Sequence, residues 1–186
     1  MKNFFIALFF LISLCTVAQK QSLQYALQGG YKYYMGSFGK QGFNIGMETT
    51  YYPTNRNYIL LNFNYGNGPI ADGNIDLLNN GKAVYYTGNR KDYFIGMGLG
   101  YNVLNKQKNR IYIQGAIGLG IVTINMDFPS IKGKGHGNQS QYALSPSLGY
   151  DYKITDKVAV GINYSGYYIG NWEYSNTING KLSFTF

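Results

Sequence analysis

The 186-residue sequence has little charge, almost no cysteine and only four prolines. Asp, Glu, Lys and Arg make up 13% of the chain, against roughly 25% in soluble domains. The single cysteine, Cys15, lies near the start of the chain, which excludes disulfides and thiol chemistry for everything after it. The single histidine, His136, leaves few groups for acid–base chemistry. Glycine (25 residues) and tyrosine (20 residues) are abundant instead.

The first 18 residues predict an export signal. Lys2 supplies a positive charge, residues 4–12 are an unbroken apolar run, and residues 16–18 are a small-residue cleavage site. The apolar run is too short for a membrane-spanning helix, which needs about 20 residues. A lipid-modified Cys15 is disfavoured because Leu14 is too large for the position before such a cysteine. We therefore predict cleavage after Ala18 and a single mature domain over residues 19–186.

Alternation of apolar and polar residues recurs about eight times along the mature chain. The predicted strands cover residues 22–33, 41–52, about 59–65, 93–103, 111–125, 141–152, 158–168 and 176–186. Short turns are predicted at residues 53–57, 106–109 and 153–157, and longer loops at residues 34–40, 66–89, 127–139 and 169–175. The polar face of each strand is mostly Gly, Asn, Gln, Ser and Thr, as expected where that face lines a packed interior and the apolar face meets lipid.

The pattern predicts an all-β fold: a transmembrane antiparallel up-and-down β-barrel of eight strands, preceded by a cleavable signal peptide. The sheet must close because lipid offers no partner for an unpaired strand edge. An even number of strands places both termini on the periplasmic side, and tyrosines at strand ends fit interfacial girdles. A soluble lipocalin-like barrel would need a charged outer face, which a charged fraction of 13% does not supply.

The final strand places Leu182, Phe184 and Phe186 on one face. With the export signal, a last strand ending in Phe resembles that of the small eight-stranded bacterial outer-membrane β-barrel proteins, the OmpA/OmpX-like family. In that family Gly often stands five residues before the final aromatic, where this chain has Lys181. The resemblance implies residence in the Gram-negative cell outer membrane, with Leu182, Phe184 and Phe186 as the signal read by the barrel assembly machinery.

Two charged residues are predicted to meet inside the barrel. When the first two strands pair around the loop at residues 34–40, Glu48 lies beside Ala26, and Lys181 approaches Gln28 from the other side. We predict an interior ion pair between Glu48 and Lys181. Its simplest role is a structural salt bridge that satisfies two buried charges.

The most basic exposed stretch is the glycine-rich segment at residues 132–137. Its glycines would let backbone amides, Lys132, Lys134 and His136 approach lipopolysaccharide phosphates. The alternative is a flexible solvated loop without a ligand.

These observations favour a structural or surface-interaction protein that acts through its extracellular loops. A lipid A-modifying barrel enzyme, working by acyl transfer or deacylation, is the first alternative, but it needs a base beside an activated oxygen. Ser140 stands four residues after His136 and position 138 is Asn, whereas the deacylase family has His and Ser two apart. His136 in a glycine-rich loop would also lack a rigid scaffold.

A narrow channel is the second alternative, because inward glycines could leave a gap that Tyr112 and Tyr167 would have to close. No cofactor or metal site is indicated. The expected partners are outer-membrane lipids, lipopolysaccharide and the barrel assembly machinery, with no nucleic acid, and the protein is expected to be a monomer.

Overall fold

The computed structural model describes residues 22–35, 40–75, 83–170 and 173–186, and the predicted signal peptide at residues 1–18 lies outside these ranges. The described residues form nine strands and one short 3-10 helix. The strands are β1 (Ser22–Met35), β2 (Gln41–Tyr52), β3 (Asn57–Pro69), β4 (Gly73–Ile75), β5 (Val84–Lys106), β6 (Asn109–Phe128), β7 (Gly133–Lys153), β8 (Val158–Ile169) and β9 (Glu173–Thr185). No helix in this part of the chain is long and apolar enough to cross a membrane.

Eight of the strands form one closed antiparallel ring. Each strand pairs with the next in the chain, β3 pairs with β5, and β9 pairs back with β1. The short β4 lies outside the ring and pairs only with the start of β5. Ala26 is opposite Glu48, and Gln28 is opposite Lys181, which are the neighbours that the sequence pattern predicts. The predicted eight-stranded up-and-down barrel is therefore confirmed.

The two faces of the barrel have opposite character. Outward side chains such as Leu27, Ile95 and Leu99 are 52%, 62% and 69% exposed to the surroundings. Inward side chains are mostly polar, and Asn44 and Asn179 are nearly inaccessible. This is the arrangement that a bilayer requires, because the strands satisfy each other's backbone groups and present only apolar side chains to lipid.

Aromatic rings surround the apolar belt at both ends. At the end that carries the longer connections, hereafter the loop end, the Phe43, Tyr65 and Tyr93 rings form a chain with centroid distances of 5.9 and 5.1 Å. At the opposite end, hereafter the turn end, Tyr25 packs against Phe186 at 5.9 Å. Tyrosine favours the membrane interface because its ring sits in lipid while its hydroxyl reaches water.

Four strands are longer than the sequence pattern predicts. The segment at residues 66–89 was predicted to be one long loop, but β3 continues to Pro69 and β5 already begins at Val84. The predicted loop at residues 127–139 is instead a hairpin, in which β6 reaches Phe128 and β7 starts at Gly133. Beyond the membrane both faces of a strand meet water or a loop, so the alternation that marks the spanning part disappears while the backbone pairing continues.

Pro146 lies within β7 without breaking it. The ladder between β7 and β8 omits Pro146 and the residue before it, between the pairs Leu144/Tyr168 and Ser147/Ser165. The register is the same on both sides of the gap, so no residue is inserted. Proline has no N–H to donate, and the cost to the sheet is local.

Candidate functional site

Four charged side chains from four strands form a cluster in the turn-end half of the interior: Glu48, Arg110, Asp151 and Lys181. Lys181 Nζ lies 2.9 Å from Glu48 Oε1 and 3.7 Å from Asp151 Oδ2, and Arg110 is ion-paired with Asp151. The structure thus brings together the two residues of the predicted interior pair. The second pair was missed, although the inward position of Arg110 and Asp151 in the alternation could have revealed it.

Neutral side chains supply further hydrogen bonds to this cluster. Gln114 Nε2 donates to Glu48 Oε2 at 2.6 Å, and Lys181 Nζ donates to the Tyr112 hydroxyl at 3.1 Å. Arg110 Nη2 donates to Gln24 Oε1 at 2.8 Å. These bonds and the opposite charges offset much of the cost of burying the cluster, although Arg110 Nε and Asp151 Oδ1 are buried without a hydrogen-bond partner among the described residues.

A second buried pair lies in the loop-end half of the interior. Lys32 on β1 is ion-paired with Asp92 on β5, and the Tyr34 hydroxyl donates to Asp92 Oδ1 at 2.9 Å. The Lys32 ammonium also lies 4.6 Å from the centre of the Tyr167 ring, within cation–π range. This pair was not predicted, because the sequence does not show how far β5 is displaced along the barrel relative to β1.

Aromatic rings fill the space between the two charged groups. Phe94 and Tyr167 meet edge to face at 5.5 Å, and both are at most 2% exposed, as is Tyr112. Tyr112 and Tyr167 are the residues that were expected to close the lumen. The middle of the barrel is therefore packed with side chains, as in other small barrels.

At the loop end, strands β5, β6 and β7 extend farther than the other strands of the ring, and the end of β3 and the short β4 pair along the free side of β5. The projection consists of residues 84–92, 121–128 and 133–141 of these strands and is held by an apolar cluster of Ile70, Tyr86 and Phe128 on its inner side. The ladder between β7 and β8 begins only at Ala143/Ile169. Within the described residues, the β7 edge at residues 133–141 consequently pairs with no strand, so its outer N–H and C=O groups are available.

The predicted basic contact residues lie at the tip of this projection. Lys132, which has a left-handed backbone (φ 50°), ends the short 3-10 helix, and Lys134 and His136 follow on β7 with all three side chains exposed. His136 is not in an irregular loop as predicted. It is held on a strand opposite Asn125, whose Oδ1 lies 2.7 Å from His136 Nδ1.

The geometry around His136 bears on the enzyme alternative. Ser140 lies on the same strand and the same face, and four residues of a strand span about 13 Å. A general base must come within hydrogen-bond reach of its nucleophile. Among the described residues, no three His, Cys, Asp or Glu side chains are grouped closely enough to bind a metal ion.

The three residues of the predicted assembly signal lie on the outward face of β9 and at the residue after it. Leu182 and Phe184 are each 38% exposed, and Phe186 is 77% exposed. The Phe186 backbone is hydrogen-bonded in both directions to Leu23 on β1, with N–O distances of 2.8 and 3.2 Å. The last residue is thus part of the seam that closes the ring.

The closed ring, apolar belt and polar interior together define a small outer-membrane β-barrel, located in the cell outer membrane. Solved structures of this class share the fold. Neisserial surface protein A (NspA) matches 89% of this chain and 97% of its own at 15% identity with a TM-score of 0.62. The attachment invasion locus protein Ail of Yersinia pestis matches 90% and 100% at 10% identity with a TM-score of 0.59. The N-terminal barrel domain of Pseudomonas aeruginosa OprF matches 89% and 97% at 17% identity with a TM-score of 0.55.

A family model also matches nearly the whole chain. The match covers residues 17–186 and is to the family described as "Protein of unknown function, DUF481". The chain belongs to this family. No curated protein sequence is significantly similar to it.

Proposed function

We propose that this barrel is a non-enzymatic surface-interaction protein that acts through its extracellular side. The observation that carries the proposal is the projection, in which three strands continue past the barrel and end in an unpaired edge with a basic tip. Exposed strand edges are normally shortened or covered in proteins that do not use them. The packed interior offers less support for a channel, and the separation of His136 from Ser140 offers none for lipid A chemistry.

The partner that we propose for the tip is lipopolysaccharide, through its phosphate groups. Lys132 and Lys134 are exposed, and the space around the nearby Gly137 is open. Lysine binds phosphate as a point charge. We further propose that the protein is a monomer whose Leu182, Phe184 and Phe186 are read by the barrel assembly machinery.

The test is binding of lipopolysaccharide to the refolded full chain in detergent, measured by titration calorimetry. Lys132→Ala/Lys134→Ala should weaken binding by roughly tenfold at low salt, through the loss of charge-assisted contacts. Lys106→Ala/Lys108→Ala is the matched control, because it removes the same charge at the exposed turn between β5 and β6 at the opposite end. Equal effects of the two double variants, or no binding by the wild type, would contradict the proposal.

A further inference from the structure

Between Ile121 at its base and Tyr85 at its outer end, which are both exposed apolar side chains, the outward face of the projection is polar. Nine side chains form it, three from each strand: Thr87, Asn89, Lys91, Thr123, Asn125, Asp127, Lys134, His136 and Asn138. The register arranges them in three rows that cross the strands. The upper row is Thr87, Asp127 and Lys134, the middle row is Asn89, Asn125 and His136, and the lower row is Lys91, Thr123 and Asn138. Because alternate residues share a face, this polar surface lies on the same side of the sheet as the lipid-facing side chains below it.

The middle row is joined by hydrogen bonds across all three strands. Asn125 Nδ2 donates to Asn89 Oδ1 at 3.1 Å, and Asn125 Oδ1 lies 2.7 Å from His136 Nδ1. These bonds fix the orientation of the three side chains without using the Asn89 amide N–H groups or His136 Nε2. The row therefore presents ordered donors and acceptors to its surroundings.

A cleft of about 600 Å³ lies over this row. Thr87, Asp127 and Lys134 from the row above also line it, as does Asp72 at its side. Hydroxyl, carboxylate, amide, imidazole and ammonium groups are thus within one small volume. Met126 is the one apolar side chain other than glycine among the described lining residues, and the many polar groups suit a ligand that carries several hydroxyl groups.

The height of the cleft identifies the source of such a ligand. Asn125 lies four positions beyond Ile121, a 38% exposed side chain at the upper edge of the apolar belt, and four residues of a strand span about 13 Å along its length. The cleft thus faces sideways just above the hydrocarbon boundary. The groups found at this position are the headgroups of neighbouring outer-leaflet lipids rather than molecules inside the barrel.

We propose that the face built on Asn89, Asn125 and His136 binds the core sugars of an outer-leaflet lipopolysaccharide by hydrogen bonds. This inference rests on the proposed function and adds a second kind of contact to it. The basic tip recognises phosphate by charge, whereas this row recognises sugar hydroxyls by hydrogen-bond geometry. The apolar belt below it holds the acyl chains of the same lipid.

The experiment compares two ligands at high salt, which suppresses the charge contribution. One is lipopolysaccharide with its core oligosaccharide, and the other is lipid A without core sugars. Asn89→Ala/Asn125→Ala should weaken binding of the first ligand by roughly tenfold, the effect of losing two or more hydrogen bonds, and leave binding of the second unchanged. Asn105→Ala/Asn109→Ala is the matched control, because these exposed asparagines lie on the same two strands at the turn end.

The outcomes separate the two proposals. If Lys132→Ala/Lys134→Ala weakens binding at low salt but Asn89→Ala/Asn125→Ala does not weaken it at high salt, the proposed saccharide site is wrong and the proposed charge contact stands. Equal loss for both ligands would also overturn the inference, since the contact would then not involve core sugars. If the wild type binds neither ligand, both proposals fail. The altered mobility of unboiled protein on a denaturing gel establishes in each case that the variant barrel is folded.

Discussion

Interior charges are the residues whose individual contribution to stability can be tested most directly. Glu48 and Lys181 are each at most 2% exposed at the side chain. Removing one partner of such a pair leaves a buried charge without compensation, whereas removing both leaves only a polarity change. The pair therefore behaves as a unit, and single and double substitutions should give different results.

Lys181→Met should lower the free energy of unfolding by about 3 to 5 kcal/mol, the usual cost of breaking a buried pair from one side. Glu48→Gln/Lys181→Met should recover a substantial part of that loss. Urea unfolding of the barrel in phospholipid, followed by gel mobility, measures both. Lys157→Met, in the exposed turn before β8, should change stability by no more than about 0.5 kcal/mol. A single variant as stable as the double variant would show that the ion pair contributes nothing.

Glycines of one strand provide a test at the scale of the element. In β6, Gly118 faces inward, and a Cβ there would overlap the backbone carbonyl oxygen of Ile95 on β5. Gly115 faces outward, and a Cβ there would meet no described atom within 4 Å. The close approach of β5 and β6 thus depends on the first glycine and not on the second.

Gly118→Ala should destabilise the barrel by about 1 to 3 kcal/mol, because the backbones of two strands must move apart. Gly115→Ala should be neutral or stabilising by up to about 1 kcal/mol, since alanine restricts the unfolded chain. The same unfolding assay compares them directly. Equal destabilisation would contradict this, because the free energy of unfolding would then depend on the loss of any glycine from β6 and not on the contact of Gly118 with β5.

The spanning parts of the strands were predictable from sequence, and the projection was not. Strand β2 was predicted at residues 41–52, where alternation is strict, and these are its bounds in the structure. Strand β5 was predicted to start near Tyr93 but begins at Val84. Lipid imposes period two only within the membrane, so the pattern carries no information about pairing above it. The Asn89, Asn125 and His136 row was missed for the same reason, since register across three strands is needed to find it.

At the scale of the whole molecule, the interior acts as a plug made of side chains. The charged groups occupy the two halves of the barrel, and Phe94, Tyr112 and Tyr167 fill the middle. A continuous water column would have to displace aromatic rings that are packed against buried ion pairs. The barrel should therefore be a poor conductor even though its interior is polar.

In planar lipid bilayers the wild-type protein should show no steady conductance. Phe94→Ala/Tyr167→Ala should open a measurable conductance, because it removes the two rings that meet across the middle of the interior. Phe43→Ala/Tyr65→Ala is the control, because these rings also touch one another but lie on the outward face. Steady conductance by the wild type would favour the narrow-channel alternative.

The charged cluster joins strands that are far apart in the chain, and this has a consequence for how the protein can change during evolution. Glu48 and Lys181 are separated by 133 positions, yet a substitution at either one alone leaves the four-charge cluster with one unbalanced buried charge. Relatives that have lost one charge are expected to have lost or exchanged the other in the same lineage. Correlated substitution at these two positions would show, from a comparison of relatives alone, that β2 and β9 face each other across the interior of the barrel.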